Sequence, residues 1–269
     1  MEHLCHAIGL PESVTREILQ LHRDPAFHPN TEAICREESW EEGLNSLRRE
    51  LGEDPRGIRM LCAQLRCALD AKKTYEILGL SGEIYADTMA AFSRFVEEHM
   101  ESYGSYAFDR AFWTVRQISC KLFRIGQLEY ELIHQNGKPV LSLHIPSDVR
   151  MEQPLLRASY ERAREILGKT FPEYENAPVY CESWLLSPEL AQLLPEHSRI
   201  LRFRRSFGPI RQLEDSGEDV LQWVFKNPHL PLDQMPRNTS LQKALWQFLH
   251  DGGVFHTGES WLVEEPFLD

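Results

Sequence analysis

The sequence predicts an α+β protein, with an all-helical first part followed by a mixed α/β part built on a central sheet. Three observations predict it. Apolar residues recur at helical spacing through the first 120 residues, with no strand pattern there. From Leu122 the pattern shifts to strand-like runs rich in β-branched and aromatic residues. Between two such runs lies Asn136-Gly137, a dipeptide that supplies the positive φ angles of a tight hairpin.

The helical elements follow from the spacing of their apolar residues. Pro11 to Asp24 carries Val14, Ile18 and Leu21 on one stripe. Glu38 to Leu51 repeats it through Trp40, Leu44, Leu47 and Leu51, and Gly52 closes it. Ile58 to Leu80 aligns Leu61, Leu65 and Leu69 before Gly79 and Ser81-Gly82 break the chain. Ile84 to Tyr103 reads as one amphipathic helix ended by Gly104, and Phe108 to Cys120 as the next. In the second part, Leu122 to Ile133 reads as a strand and Pro139 to Pro146 as its hairpin partner. On that partner Leu141, Leu143 and Ile145 face one way, while Val140, Ser142 and His144 face the other. Pro154 to Gly168 is a helix, Ala177 to Leu186 a third strand, and Ser187-Pro188 a helix start. Arg199 to Phe207 reads as a fourth strand. The end holds a helix (Glu218 to Lys226), a Pro-rich loop over 227–236, a helix (Thr239 to Gly252) and a closing strand at Val254 to Val263. No Gly/Ser linker intervenes, and the boundary falls between domains at 1–120 and 121–269.

Composition excludes several classes. The 29 Lys and Arg against 41 Asp and Glu give a net charge of −12, which argues against a nucleic-acid partner, since phosphate binding needs a basic face. No apolar run approaches the roughly 18 residues of a membrane span, and the N-terminus lacks a signal peptide's pattern, so a cytoplasmic protein is expected. The six cysteines are scattered and read as reduced thiols. His3, Cys5 and His6 have no second ligand pair at zinc spacing, so no metal is expected. There is no GxSxG elbow, Walker loop, HExxH or CxxC.

The strings FDRAFWTVRQISCKLFRIGQLEYEL (Phe108 to Leu132), LSLHIPSD (Leu141 to Asp148), YCESWLLSPEL (Tyr180 to Leu190) and NTSLQKAL (Asn238 to Leu245) resemble a bacterial family. Its members carry a helical N-acyltransferase N-terminal domain followed by a GNAT-like C-terminal domain. The order of elements in the second part is also similar to the GNAT superfamily of coenzyme A-dependent N-acyltransferases. The resemblance implies acyl-coenzyme A as donor, an amine of a small molecule or protein as acceptor, and a monomer or homodimer. It also implies two central strands that splay apart to admit the thioester arm. Where GNAT enzymes carry a glycine-rich pyrophosphate loop, this chain reads Ser147-Asp148-Val149-Arg150-Met151-Glu152, without glycine. Glycines let backbone amides approach phosphate closely. Their absence keeps an alternative open: a GNAT-shaped ligand-sensing or interaction protein that has lost coenzyme A.

Under the resemblance Ile145, Ser147, Asp148, Arg150 and Ser183 are the candidate residues for coenzyme A, with His144, Cys181 and Glu182 as candidate catalytic groups. His144 can take a proton near neutrality, or be a structural histidine. Cys181 is a nucleophile only if a neighbour lowers its thiol pKa; otherwise it is a small buried residue. Glu182 reads as a general base or a solvated strand carboxylate, and Trp184 as a lid or core. Trp113, Arg116 and Gln117 project from one helix face and suit a polar ligand or a packing seam. The basic island of Arg199, Arg202, Arg204, Arg205 and Arg211 offers phosphate contacts on a sheet face, or a solvated surface.

Overall fold

A computed structural model describes residues 1–214, 217–227 and 229–268. The chain divides into two compact units, Met1–Ile125 and Gly126–Asp269. The fold is α+β, helical first and sheet-containing second.

The first unit runs α1 (Glu2–Ala7), α2 (Glu12–Arg23), α3 (Trp40–Leu51), α4 (Ile58–Ile77), α5 (Gly82–Met89), α6 (Ala91–Tyr103), α7 (Ala111–Ile118) and the short strand β1 (Leu122–Ile125). Helix α4 is its centre: Leu61, Cys62, Leu65, Ala68 and Tyr75 are nearly inaccessible. A helix buried this far round its circumference needs its polar residues paired. Gln64 is paired, donating to the Ala111 carbonyl (3.0 Å) and accepting from the Thr114 hydroxyl. The single helix expected over Ile84 to Tyr103 is interrupted at Ala90. The Ser93 hydroxyl donates to the carbonyls of Ala90 and Ile8, a side-chain competition that bends helices. Helix α1 was not legible from spacing; it is only six residues long.

The second unit runs β2 (Leu128–Gln135), β3 (Lys138–His144), α8 (Gln153–Thr170), β4 (Val179–Ser183), α9 (Leu190–Leu193), α10 (Arg199–Arg204), β5 (Arg211–Gln212), α11 (Glu218–Phe225), α12 (Ser240–His250) and β6 (Gly258–Trp261). The hairpin closes as expected, Gln135 opposite Lys138, with φ of 52° at Asn136 and 73° at Gly137. The single strand expected over Leu122 to Ile133 is instead two, β1 and β2, parted by a turn at Gly126 with φ of 67°. The fourth strand expected over Arg199 to Phe207 is helix α10, capped by the Ser198 hydroxyl accepting from Leu201 N–H (3.1 Å). The helix ends at Arg204, and Phe207 beyond it bridges to Leu262, its ring centroid 5.0 Å from that of the buried Phe203. The third strand stops at Ser183, where the chain turns into a 3-10 turn over Trp184–Leu186. Thr239 and Gln242 form a capping box at the start of α12. Pro228, in the expected Pro-rich loop, lies outside the described residues.

Within this unit the strand order is β2-β3-β4-β6-β5, with β3 and β4 parallel and the other pairs antiparallel. The register assigns the faces, because paired residues share a side. Leu128, Tyr130 and Leu132 face α8: the Ser159 hydroxyl of that helix accepts from Leu128 N–H (3.2 Å) and lies 3.4 Å from the Tyr130 hydroxyl. Leu141, Leu143, Val179, Cys181 and Ser260 share this side, which carries the core with Leu156, Ala163 and Leu167 of α8. The opposite side is polar. It carries Glu129, Glu131, Ser142, His144, Tyr180, Glu182, Glu259 and Trp261.

Candidate active site

The site begins where the sheet comes apart. Strands β3 and β4 pair only at Leu141 with Val179 and Ser142 with Tyr180. Strand β3 runs on to His144 and β4 to Ser183 without continuing that ladder. Had it continued, Glu182 would stand opposite His144. The two residues therefore flank the opening on the polar side of the sheet. Backbone groups in such a break lack ladder partners and must be satisfied by something else.

His144 Nε2 lies 2.8 Å from Glu131 Oε2, with side chains 20% and 11% exposed. Strand β2 supplies the carboxylate because Glu131 and Glu129 alternate onto the polar side, next to His144 in the register. A neutral His144 donating Nε2–H to Glu131 carries its basic lone pair on Nδ1. Sequence reasoning missed Glu131; the signal was two glutamates two apart in a strand (LEYEL), both on the face of the partner histidine.

Glu182 is exposed, with the Tyr180 hydroxyl 3.2 Å from its Oε2 and also bonded to Glu259. Burial pushes the Tyr180 hydroxyl well above the usual tyrosine range, and the hydrogen bond to Glu259 and the charge of Glu182 push the same way. Arg211, which pairs with Glu259, sits on β5. Cys181 and Ser183 lie on the opposite side of the sheet from His144. The lining of one gap by all three side chains does not form, because Ser142 pairs with Tyr180, which puts Cys181 and Ser183 one residue out of step with His144 and on the opposite face. Cys181 is fully buried, and desolvation, with the Glu182 charge, pushes its thiol far above the usual range, which works against a nucleophile. The Ser183 hydroxyl accepts from Leu185 N–H (3.1 Å) and starts the 3-10 turn. Trp184 packs against the cluster of Leu190, Val220, Phe225 and Leu245.

Between β3 and α8, Ile145 is half-buried, Ser147, Asp148 and Arg150 are exposed, and Arg150 N–H donates to Gln127 Oε1 (2.8 Å). The α8 N-terminus is poor in amide donors. Pro154 has none, and Leu155 and Leu156 both donate to the Glu152 carbonyl (3.0 and 3.1 Å). Glu152, the N-cap residue, instead gathers cations: Arg150 at 3.7 Å and Arg199 of α10 at 3.5 Å. Gln153 is buried, and neither atom of its side-chain amide makes a hydrogen bond among the described residues. The rest of the basic island disperses. Arg202 is exposed, and Arg205 reaches Glu196 (3.7 Å). Arg204 donates to the Ser187 carbonyl, with its guanidinium pKa lowered by burial. In the first unit, Arg116 stacks over Trp113 (4.6 Å) and Trp40 (5.5 Å). Gln117, by contrast, is fully buried, with no side-chain hydrogen bond among the described residues.

A split parallel pair connected by a helix over the sheet is the feature by which the GNAT fold is known, and family models agree. Residues 122–262 match the GNAT-like C-terminal domain, and residues 1–120 match the N-acyltransferase N-terminal domain. The chain belongs to this N-acyltransferase family. Solved structures share the GNAT-like fold. One is an acyltransferase in complex with decanoyl-CoA and teicoplanin, 22% identical, covering 97% of this chain and 86% of that one at a TM-score of 0.79. Another is an acyltransferase in complex with decanoyl-CoA, 24% identical, covering 98% and 86% at a TM-score of 0.77. A third, an acyltransferase in complex with CoA and 10C-teicoplanin, is 21% identical, covering 97% and 98% at a TM-score of 0.73. No curated protein matches this chain significantly by sequence. Among the described residues of this N-acyltransferase family member, no helix is long and apolar enough to cross a membrane.

Proposed function

We propose that this chain transfers an acyl group from acyl-coenzyme A to an amine acceptor. The observation that carries the reading is the divergence of β3 and β4 after Ser142 and Tyr180, with the His144–Glu131 pair at its edge. A pantetheine arm carries two amides, which suit it to lie along the opening as a substitute strand. The acyl-CoA complexes of the structurally similar acyltransferases support the same donor.

The thioester supplies an activated carbonyl carbon. The acceptor nitrogen attacks that carbon, the C–S bond breaks, and coenzyme A leaves as thiolate. The nitrogen's proton goes to His144, Glu131 stabilises the imidazolium that forms, and the imidazolium passes the proton to the departing sulfur to give the thiol. Glu182, held by Tyr180 on the same sheet face, attracts the cationic form of the amine. Holding donor and acceptor together supplies roughly 7–11 kcal/mol of barrier lowering, more than the roughly 3–5 kcal/mol from a general base.

At the pyrophosphate end, Arg150 and Arg199 are the cations available, and in the free protein they rest on Glu152. Two phosphate groups would exchange for that carboxylate. This replaces the glycine-rich loop's amides with guanidinium charge, whose planar donors match phosphate oxygens. The same observation favours a second reading. The Glu152 carboxylate and the missing donors at the start of α8 suit a protein that holds a different ligand and transfers nothing.

Calorimetry with acetyl-, octanoyl- and decanoyl-coenzyme A, followed by release of free thiol in the presence of primary amines, tests both. Heat and thiol release support acyl transfer. No heat at millimolar ligand supports the second reading, and heat without thiol release overturns both, since acyl-coenzyme A is then held but not transferred.

A further inference from the structure

A cleft of about 360 Å³ lies within the first unit, and none of its lining residues is among those assigned to acyl transfer. It forms where the end of α3, the connection over 52–57 and the start of α4 meet the segment 108–111. The sequence dictates that connection. Gly52 ends α3 with φ of 68°, and Gly57 turns the chain into α4 with φ of 64°, both in the left-handed region that favours glycine. Phe108 N–H donates to the Arg56 carbonyl (2.8 Å) and fastens the two segments together. A side chain at Gly57 would overlap the Phe108 carbonyl oxygen, so only glycine allows this approach. The Asp54 carboxylate accepts from Arg59 N–H (3.1 Å) and Met60 N–H (2.9 Å), first-turn amides of α4 that have no partner inside the helix.

The lining combines three kinds of surface. Leu51, Met60 and Phe108 are buried and apolar, and the Phe108 ring is backed by that of Phe92 at 5.8 Å. Arg48 brings a guanidinium whose Nη1 donates to the neutral Asn45 Oδ1 (2.9 Å); among the described residues Arg48 forms no ion pair. Asp54 and Asp109 bring carboxylates. Asp54 is committed to the start of α4, whereas Asp109 meets Arg110 through Oδ2 alone, at 3.3 Å. Arg48 and Asp109 thus line one recess without pairing with each other, and a ligand of both charges bridges the space between them. A simple carboxylate in the cleft would meet Asp54 and Asp109 as well as Arg48. A simple amine would meet Arg48 as well as the carboxylates. A zwitterion sets an opposite charge against each. The volume falls at the lower end of the roughly 300–1,000 Å³ of small-ligand pockets, and the apolar lining asks for an apolar substituent.

We propose that this cleft binds a free α-amino acid with an apolar side chain. The ligand's carboxylate takes the Arg48 guanidinium, whose planar donors match two carboxylate oxygens. Its ammonium takes Asp109, and its side chain covers Leu51, Met60 and Phe108. A residue within a peptide carries neither charge, and a peptide terminus carries only one, so the site selects the free amino acid. All of these groups belong to the first unit, so binding here stands whether or not the second unit transfers acyl groups.

The test is calorimetry of the full-length protein with L-phenylalanine, L-leucine and L-methionine, and with two blocked forms of the first. N-acetyl-L-phenylalanine lacks the ammonium, and L-phenylalaninamide lacks the carboxylate. Saturable heat is expected from the free amino acids at millimolar ligand, and binding weaker by about tenfold or more from both blocked forms, since each leaves a charge of the cleft unmatched. Arg48→Ala and Asp109→Asn should each weaken amino-acid binding by about tenfold or more. Both side chains are exposed, so the circular dichroism of the variants should match wild type. Silence from all three amino acids overturns the proposal. So does a blocked form that binds as tightly as L-phenylalanine, or a folded variant at either position that binds like wild type.

Discussion

If His144 takes the acceptor's proton, Glu131 acts only through it, and the two side chains can be separated by kinetics. The 2.8 Å contact is short and its partners are largely shielded, so solvent screening removes little of its strength. A hydrogen bond to a charged group contributes about 1.5–3 kcal/mol, or about 10- to 150-fold in rate when realised only as the imidazolium forms. Glu131→Gln keeps the shape and removes the charge, and is expected to lower kcat by that factor with KM for acyl-coenzyme A near wild type. His144→Ala should cost about 10²–10⁴ in kcat. The double variant should be no worse than His144→Ala alone, because the residues act as a unit. The assay is release of coenzyme A thiol with a primary amine acceptor, across pH. Multiplying losses in the double variant, or a His144→Ala enzyme within threefold of wild type, would refute the assignment.

Three further outcomes follow from the second unit. Arg199→Ala is expected to raise KM for acyl-coenzyme A severalfold with kcat within about twofold, and the effect should shrink in high salt because Arg199 is two-thirds exposed; steady-state kinetics at two ionic strengths checks it. Gly258→Ala should destabilise by about 1–3 kcal/mol in urea unfolding, because its Cβ would stand 2.3 Å from the Leu186 carbonyl oxygen where β6 passes the end of β4. Burial raises the Glu189 pKa, but hydrogen bonds from Ser187 and His256 (2.9 Å) outweigh it and hold the carboxyl below its usual range. A depressed carboxylate stabilises the fold above its unfolded pKa and loses that stability as pH falls through the folded one. Thermal unfolding should therefore worsen on acidification below about pH 4.5, and less steeply in Glu189→Gln.

The elements that were legible in the sequence are those specified by neighbours along the chain. The Asn136-Gly137 turn, the helix starting at Thr239 and the stripe of Leu44, Leu47 and Leu51 each depend on residues within two turns of helix or one hairpin, and each formed where expected. The face of His144 was equally legible, because alternation along a strand is fixed by the pleat. The helix α10 was misread because four apolar positions in nine residues satisfy both periods, and the cap at Ser198 decided between them.

What only the tertiary structure decided is everything that depends on register between distant segments. Which residues of β4 share a side with His144 follows from Ser142 pairing with Tyr180. That offset sends Cys181 into the core and leaves Glu182 at the edge of the opening. Glu131 as the partner of His144 and Arg199 beside Glu152 are likewise products of packing. Local spacing fixes the direction in which a side chain leaves its own backbone. The free energy that chooses its neighbour comes from burying whole elements against one another, and no window of the sequence contains that sum.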